Sequence, residues 1–141
     1  MSADSLWRIQ TALYSHLGSC GALTSLLAAG AAGIFDHVPA QSAFPYITLT
    51  DCAARPFDTQ QYNGFEAMIT IDSFSQADGS QQLRQITTAL HEALHNKDFA
   101  IDGHTLLLCQ AQDTLITQDA DGETYVGRQR FRLLVDTPAP A

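Results

Sequence analysis

Positive charge is scarce in this 141-residue chain. Seven lysines and arginines stand against fifteen carboxylates, a formal net charge of −8. Such a chain would have to overcome its own repulsion to hold nucleic acid phosphates, which argues against a general nucleic acid binder. Cysteine is scarce too. Cys20, Cys52 and Cys109 are odd in number and form no C-x-x-C pair, which argues against a disulfide framework or a Cys-rich zinc site. They read as three buried thiols in a reducing compartment. There is no Gly-rich phosphate loop, no G-x-S-x-G, and no Cys-His pair in a recognisable pattern. The opening MSADSLWRIQ lacks the basic-then-apolar order of a secretory leader. The longest apolar stretch, Ala22 to Phe35, is interrupted by Thr24, Ser25 and two glycines, too short and too broken to cross a bilayer. A soluble chain with no membrane contact, made in the cytoplasm, is the expectation.

What is present is core material. Hydrophobic residues make up 45% and charged residues 16%. That suits a single folded domain, set at residues 1–136, with a disordered Pro-Ala tail at 137–141. Leu6, Ile9, Leu13 and Leu17 make an apolar stripe that predicts a helix from Asp4 to Leu17, with Trp7 and Tyr14 on its flank. A short helix is predicted from Ala22 to Ala29, closed by Gly30 and Gly33. Phe44 to Thr50 alternates and predicts a strand, with Pro45 at its beginning. Asp51 to Gly64 reads as a long exposed loop or β-arm. Phe65 to Phe74 is a strand with Phe65, Ala67, Ile69 and Ile71 on one face and Met68, Thr70, Asp72 and Phe74 on the other. Asp78 to Lys97 is the clearest helix: Leu83, Ile86, Leu90 and Leu94 form its stripe, and Asp78 or Ser80 can cap it. Asp102-Gly103 favours a tight turn in which both residues tolerate positive φ, before a strand from Thr105 to Thr117. A second turn, Asp119 to Gly122, leads into a last strand, Thr124 to Asp136. The order predicts an α+β fold: a largely antiparallel β-sheet with helices packed on one face.

The sharpest chemical motif lies on the long helix. His91-Glu92-Ala93-Leu94-His95 is a literal H-E-x-x-H. On a helix, two histidines one turn apart can clamp zinc, with the glutamate as general base of a metallohydrolase. A catalytic zinc needs a third protein ligand. His104 and Glu123 are available, but nothing in their spacing singles them out. At roughly 100° per residue, Glu92 falls nearly opposite the leucine stripe, beside Gln81, Gln85 and Thr88. That is the pattern of a solvated face, so no metal and no cofactor is assigned.

Three other clusters stand out in the sequence. Asp36 and His37 are adjacent, so their side chains diverge on an extended backbone, which is a structural arrangement. Asp119 and Asp121 before Gly122 suggest a calcium loop whose remaining ligands are absent. In the last strand Arg128, Arg130 and Arg132 alternate and project from one face, three of only seven basic residues. Tyr125, Phe131, Leu133 and Val135 take the other. The arginines either pair with carboxylates on a neighbouring strand, such as Asp113 or Glu66, or dock an acidic partner surface. In a chain this acidic, that surface could belong to another copy.

Taken in order, several of these pieces resemble the tail-completion, or tail-terminator, family of tailed bacteriophages and prophage elements. They are the first helix with Ala22-Leu23-Thr24-Ser25-Leu26-Leu27, then Ile34-Phe35-Asp36-His37-Val38-Pro39, then Phe44-Pro45-Tyr46-Ile47-Thr48-Leu49. Leu90 to His95, Gly103-His104, Asp119 to Gly122 and Arg130-Phe131-Arg132 complete the set. The resemblance implies a virion protein at the head-proximal end of the tail. It implies a ring, usually hexameric, that caps the tail tube, stops its polymerisation and joins the DNA-filled head. Its partners would be copies of itself, the tail tube protein and a head-tail connector protein. DNA would pass through the lumen without specific binding, and no catalysis is implied. Subunit and tube contacts are expected on the Arg128, Arg130, Arg132 face and on the Arg55, Phe57, Tyr62 loop. The alternatives are another head-tail connector, such as an adaptor or minor tail protein, and the small zinc hydrolase.

Overall fold

The computed structural model describes residues 3–36, 42–58, 63–76 and 80–137. Helix α1 spans Ala3–Gly18 and buries Ile9, Leu13 and Leu17, one turn apart on a single stripe. Helix α2 is only Gly21–Thr24, shorter than the predicted run to Ala29. The reason is a competing tertiary bond: the Ala28 N–H donates to the Pro45 carbonyl at 3.1 Å, drawing the backbone out of the helical path. The chain then makes a single 3-10 turn at Gly30–Gly33. Leu23 and Leu27 still reach the core.

Among the described residues five strands form one sheet: β1 (Ile34–Phe35), β2 (Tyr46–Asp58), β3 (Asn63–Ser75), β4 (Thr105–Gln118) and β5 (Tyr125–Thr137). Their spatial order is β1-β2-β3-β5-β4. All pairs are antiparallel except β1 with β2. Among the described residues, three α-helices and this sheet make the α+β fold. The stretch predicted as a loop or β-arm is the arm: β2 runs on to Asp58 and pairs with β3 as far as Asn63. Residues 59–62 lie outside the described ones.

Helix α3 (Gln81–Leu94) carries the predicted stripe, with Leu83, Ile86, Leu90 and Leu94 at most 1% exposed. Each such side chain stabilises the fold by about 1.5–3 kcal/mol. Its capping differs from expectation. Asp78 lies outside the described residues, and Ser80, at the N-cap, makes no side-chain cap. The Ser80 Oγ instead accepts a hydrogen bond from Arg84 Nε at 3.1 Å. The core lies between the helices and the inner face of the sheet, where Phe65, Ala67, Ile69 and Ile71 of β3 meet Phe131, Leu133 and Val135 of β5.

Glycine decides how closely α3 can approach β5. A methyl group on Gly127 would lie 2.8 Å from Thr87 Cγ2. Thr87 cannot easily yield, because its Oγ1 donates to the Arg84 carbonyl at 3.1 Å. Two residues on, the buried Gln129 Nε2 donates to the Thr87 carbonyl at 2.9 Å. The Ile101–His104 turn has positive φ at Gly103 only (+74°), not at both central residues.

The thiols correct one expectation. Cys109 is buried, but Cys20 and Cys52 are only half-buried; all three are free. Burial pushes the Cys52 thiol up to about 11, helped by Asp51, and the Cys109 thiol up to about 12. Neither is a ready thiolate at neutral pH.

Gly127→Ala tests the close packing of helix on strand. Urea unfolding should show a loss of about 1–3 kcal/mol, the usual cost of overpacking a tight contact. An unchanged midpoint would mean that α3 has room to spare.

Candidate interaction face

The outer face of the sheet is built by the same alternation that fills the core. On β5, Phe131, Leu133 and Val135 point inward, so Arg128, Arg130 and Arg132 point outward. Strand register then sets their partners. Arg128 lies opposite Asp72 on β3, and Arg130 opposite Asp113 on β4. Arg55 on β2 lies opposite Glu66 on β3.

Each arginine meets a carboxylate. Arg128 grips Asp72 with two parallel bonds, Nε to Oδ1 and Nη2 to Oδ2, both 3.0 Å. Asp72 is only 4% exposed, and its Oδ2 also accepts the Thr50 hydroxyl at 2.9 Å. Thr50 reaches it because β2 bulges between Leu49 and Asp51. Arg130 forks onto Asp113 through Nε and Nη2. Arg132 Nε bonds Glu66 Oε2 at 2.7 Å, and Arg55 Nη2 meets Oε1 of the same carboxylate at 2.9 Å. The Arg132 hydrogen bond, with the Arg55 charge behind it, holds the Glu66 carboxyl below its ordinary value. The Arg130 hydrogen bond does the same for Asp113. Asp72 and Asp113 in turn raise Arg128 and Arg130. All four guanidinium charges are therefore answered within the chain.

Of the predicted interface residues, the fold brings Arg55 and Arg132 together on one carboxylate and lines Arg128 and Arg130 beside them. Phe57 falls near the end of β2, in the arm. Tyr62 lies outside the described residues. The pairing of Arg130 with Asp113 and Arg132 with Glu66 follows the sequence reading. Asp72, the partner of Arg128, does not stand out as one in the sequence. Its outward position in the alternation of β3 was the available signal.

The H-E-x-x-H motif takes an unexpected form. Helix α3 ends at Leu94, and His95 is already extended (φ −67°, ψ 121°). The two imidazoles stack, with centroids 4.7 Å apart. His95 Nδ1 accepts the Ala111 N–H at 3.0 Å, tying the end of α3 to β4. His104 stands edge-on to Phe65, and Glu123 lies exposed between β4 and β5. Among the described residues, no three His, Cys, Asp or Glu side chains converge as a metal site. In the Asp119–Gly122 turn, Asp121 is spent on the backbone. Its Oδ1 accepts from the Glu123 and Thr124 N–H groups, and its Oδ2 from the Thr124 hydroxyl. The Thr124 hydroxyl, followed by these amides, holds the Asp121 carboxyl below its ordinary value. The D-x-D-G pattern is turn chemistry.

Comparison with known proteins adds three findings. The family profile described as Tail completion protein gp17 matches residues 11–136. No curated protein matches. Among solved structures, a chain from the virion of a native gene transfer agent particle superposes with a TM-score of 0.84. It is 18% identical, and the alignment covers 96% of this chain and 99% of that one. At that identity the likeness is one of fold.

Two measurements test this electrostatic layer. In urea unfolding, Asp72→Ala should cost about 1–2 kcal/mol, because it removes a buried, hydrogen-bonded carboxylate. Asp113→Ala should stay within about 0.5 kcal/mol, since that pair is half-exposed and screened. Equal effects would contradict the distinction. The pH dependence follows from the lowered values of Glu66, Asp113 and Asp121. Their contribution is complete above the ordinary carboxylate range, about pH 4, and is lost as pH falls through the lowered values. The melting temperature should hold from neutral pH to about 5 and drop below about 4, with a shallower acid drop in Glu66→Gln.

Proposed function

The chain belongs to the tail completion protein gp17 family, and from that premise we propose that it closes the phage tail tube as a ring of its own copies. Its role in the phage particle is structural. In the proposed reading the ring sits at the head-proximal end of the tail, ends tube polymerisation and offers the surface that joins the head. The observation that carries the reading is the family match along nearly the whole folded chain, residues 11–136.

The charge arrangement supports it. The net charge is −8, and Arg55, Arg128, Arg130 and Arg132 are each already held by a carboxylate. Such a surface offers little free positive charge to phosphate, so DNA would pass a ring lumen without sticking. The outer face, a mosaic of paired charges with half-exposed guanidinium heads, suits a contact that selects its partner by charge complementarity. We assign this face to the tail tube, with the β2–β3 arm bearing Arg55, Phe57 and Tyr62 as its extension.

The test uses the cognate tail tube protein polymerising in the presence of this chain, with electron microscopy of the products. Tubes should be shorter than in its absence and carry an extra ring at one end. Arg130→Glu should lower the fraction of capped ends. Tube lengths unaffected by the wild-type chain would contradict the assignment. Capping unaffected by Arg130→Glu would remove the arginine face from it.

A further inference from the structure

The chain contains two Asp-Gly pairs, Asp102-Gly103 and Asp121-Gly122, each in a turn with the glycine at positive φ (+74° and +71°). In both, the aspartate carboxyl and the next amide could react with each other, but their surroundings are opposite. In the second pair both groups are held. The Asp121 carboxylate accepts the Glu123 and Thr124 amides, each at 2.8 Å, and the Thr124 hydroxyl at 2.7 Å. The Gly122 N–H donates to the Asp119 carbonyl at 3.0 Å. In the first pair both groups are free. Asp102 and Gly103 are exposed. Among the described residues the Asp102 carboxylate makes no hydrogen bond or ion pair, and the Gly103 N–H finds no acceptor. The peptide group between them is instead gripped at its oxygen. Arg8 Nη1 donates to the Asp102 main-chain carbonyl at 3.3 Å, and the guanidinium lies so close over Gly103 that a side chain there would have to push it aside.

We propose that Asp102-Gly103 is a site of spontaneous main-chain isomerisation, in which the Gly103 amide nitrogen closes onto the Asp102 side chain with help from Arg8. The nitrogen bonds to Cγ of the protonated carboxyl. The amide proton, the carboxyl proton and one carboxyl oxygen leave as water, and a five-membered succinimide remains. Water then opens the ring. Attack at Cγ restores aspartate. Attack at the main-chain carbonyl carbon leaves isoaspartate, with the main chain routed through Cβ and Cγ. Water is lost once and regained once, and nothing is oxidised or reduced. Arg8 favours the closure. As the Gly103 N–H gives up its proton, negative charge spreads onto the Asp102 carbonyl oxygen, the atom that the guanidinium already holds. A cation fixed where charge develops lowers the barrier. At Asp121 the same closure would first have to break the bonds to Glu123 and Thr124 and the one from Gly122. The product has a structural consequence. The extra main-chain carbon falls between Ile101 and His104, whose 3.0 Å bond and bridge hold the buried Ile101 in the core and the His104 ring against Phe65. This inference stands apart from the ring reading.

The experiment is incubation of the full chain in heavy-oxygen water at physiological temperature and mildly acidic pH, folded and in urea. Each ring opening leaves one heavy oxygen at the site, and electron-transfer fragmentation distinguishes isoaspartate from aspartate. Digestion with chymotrypsin in ordinary water cuts at the leucines between the two pairs, so each is read separately. In the folded chain label and isoaspartate should accumulate at Asp102 at least about tenfold faster than at Asp121, whose groups must first be released from their hydrogen bonds. In urea the two sites should react at similar rates. Arg8→Gln should slow Asp102 by about threefold or more in the folded chain, the effect of losing one exposed charged donor, and leave the urea rate unchanged. Arg8→Lys, which keeps the charge, should lose less, and far-UV circular dichroism checks that both variants are folded. Equal rates at the two sites in the folded chain, or a faster rate at Asp121, would overturn the proposal. A difference that persists in urea would overturn its structural cause. A folded Arg8→Gln chain that reacts as fast as wild type, or faster, would remove the arginine from it.

Discussion

The register of β3 against β5 is the constraint on which the rest depends. It sets Ile69 opposite Phe131 and Ala67 opposite Leu133 on one face, and Asp72 opposite Arg128 on the other. Because side chains alternate along a strand, a slip of one residue would exchange the faces completely. Arg128, Arg130 and Arg132 would then enter the core in place of Phe131, Leu133 and Val135. Each buried charge would cost several kcal/mol. Helix α3 adds a second lock, since it packs tightly over Gly127 of β5 and its Thr87 carbonyl accepts from Gln129 Nε2. The outer ion pairs contribute modestly to stability, but they need the same register, so core and surface specify one alignment.

Much of this was legible in the chain. The stripe of α3, the alternation of β3 and β5, the α+β class, and two of the arginine partners all follow from periodicity. Periodicity is local information, and the failures are where a distant group intervened. The end of α2 is set by the Pro45 carbonyl, which bonds Ala28 from well beyond the roughly one turn that a helix rule inspects. The Ser80 cap is displaced by the Arg84 side chain. The H-E-x-x-H motif looked helical throughout, yet His95 leaves the helix to accept the Ala111 amide on β4. Asp72 was placed on the correct face without a partner, because its partner depends on the pairing of β3 with β5 rather than on either strand alone.

For function, the acidic composition and the ion-pair layer point the same way. A chain with few cations keeps four of them engaged by its own carboxylates. Its outer face is therefore patterned but nearly neutral, with Leu115 exposed beside Arg128 and Arg130. Family membership makes the protein a structural component of the phage particle, and the engaged cations fit a part that does not grip nucleic acid.

The most direct test of that account is native mass spectrometry of the full chain, alone and after recovery from capped tubes. Each chain has a mass of 15.3 kDa. The account predicts one closed species of a fixed number of chains, with the hexamer as the expected size, and no larger forms. A two-fold dimer that never grows, or an open ladder of oligomers without a preferred size, would contradict it.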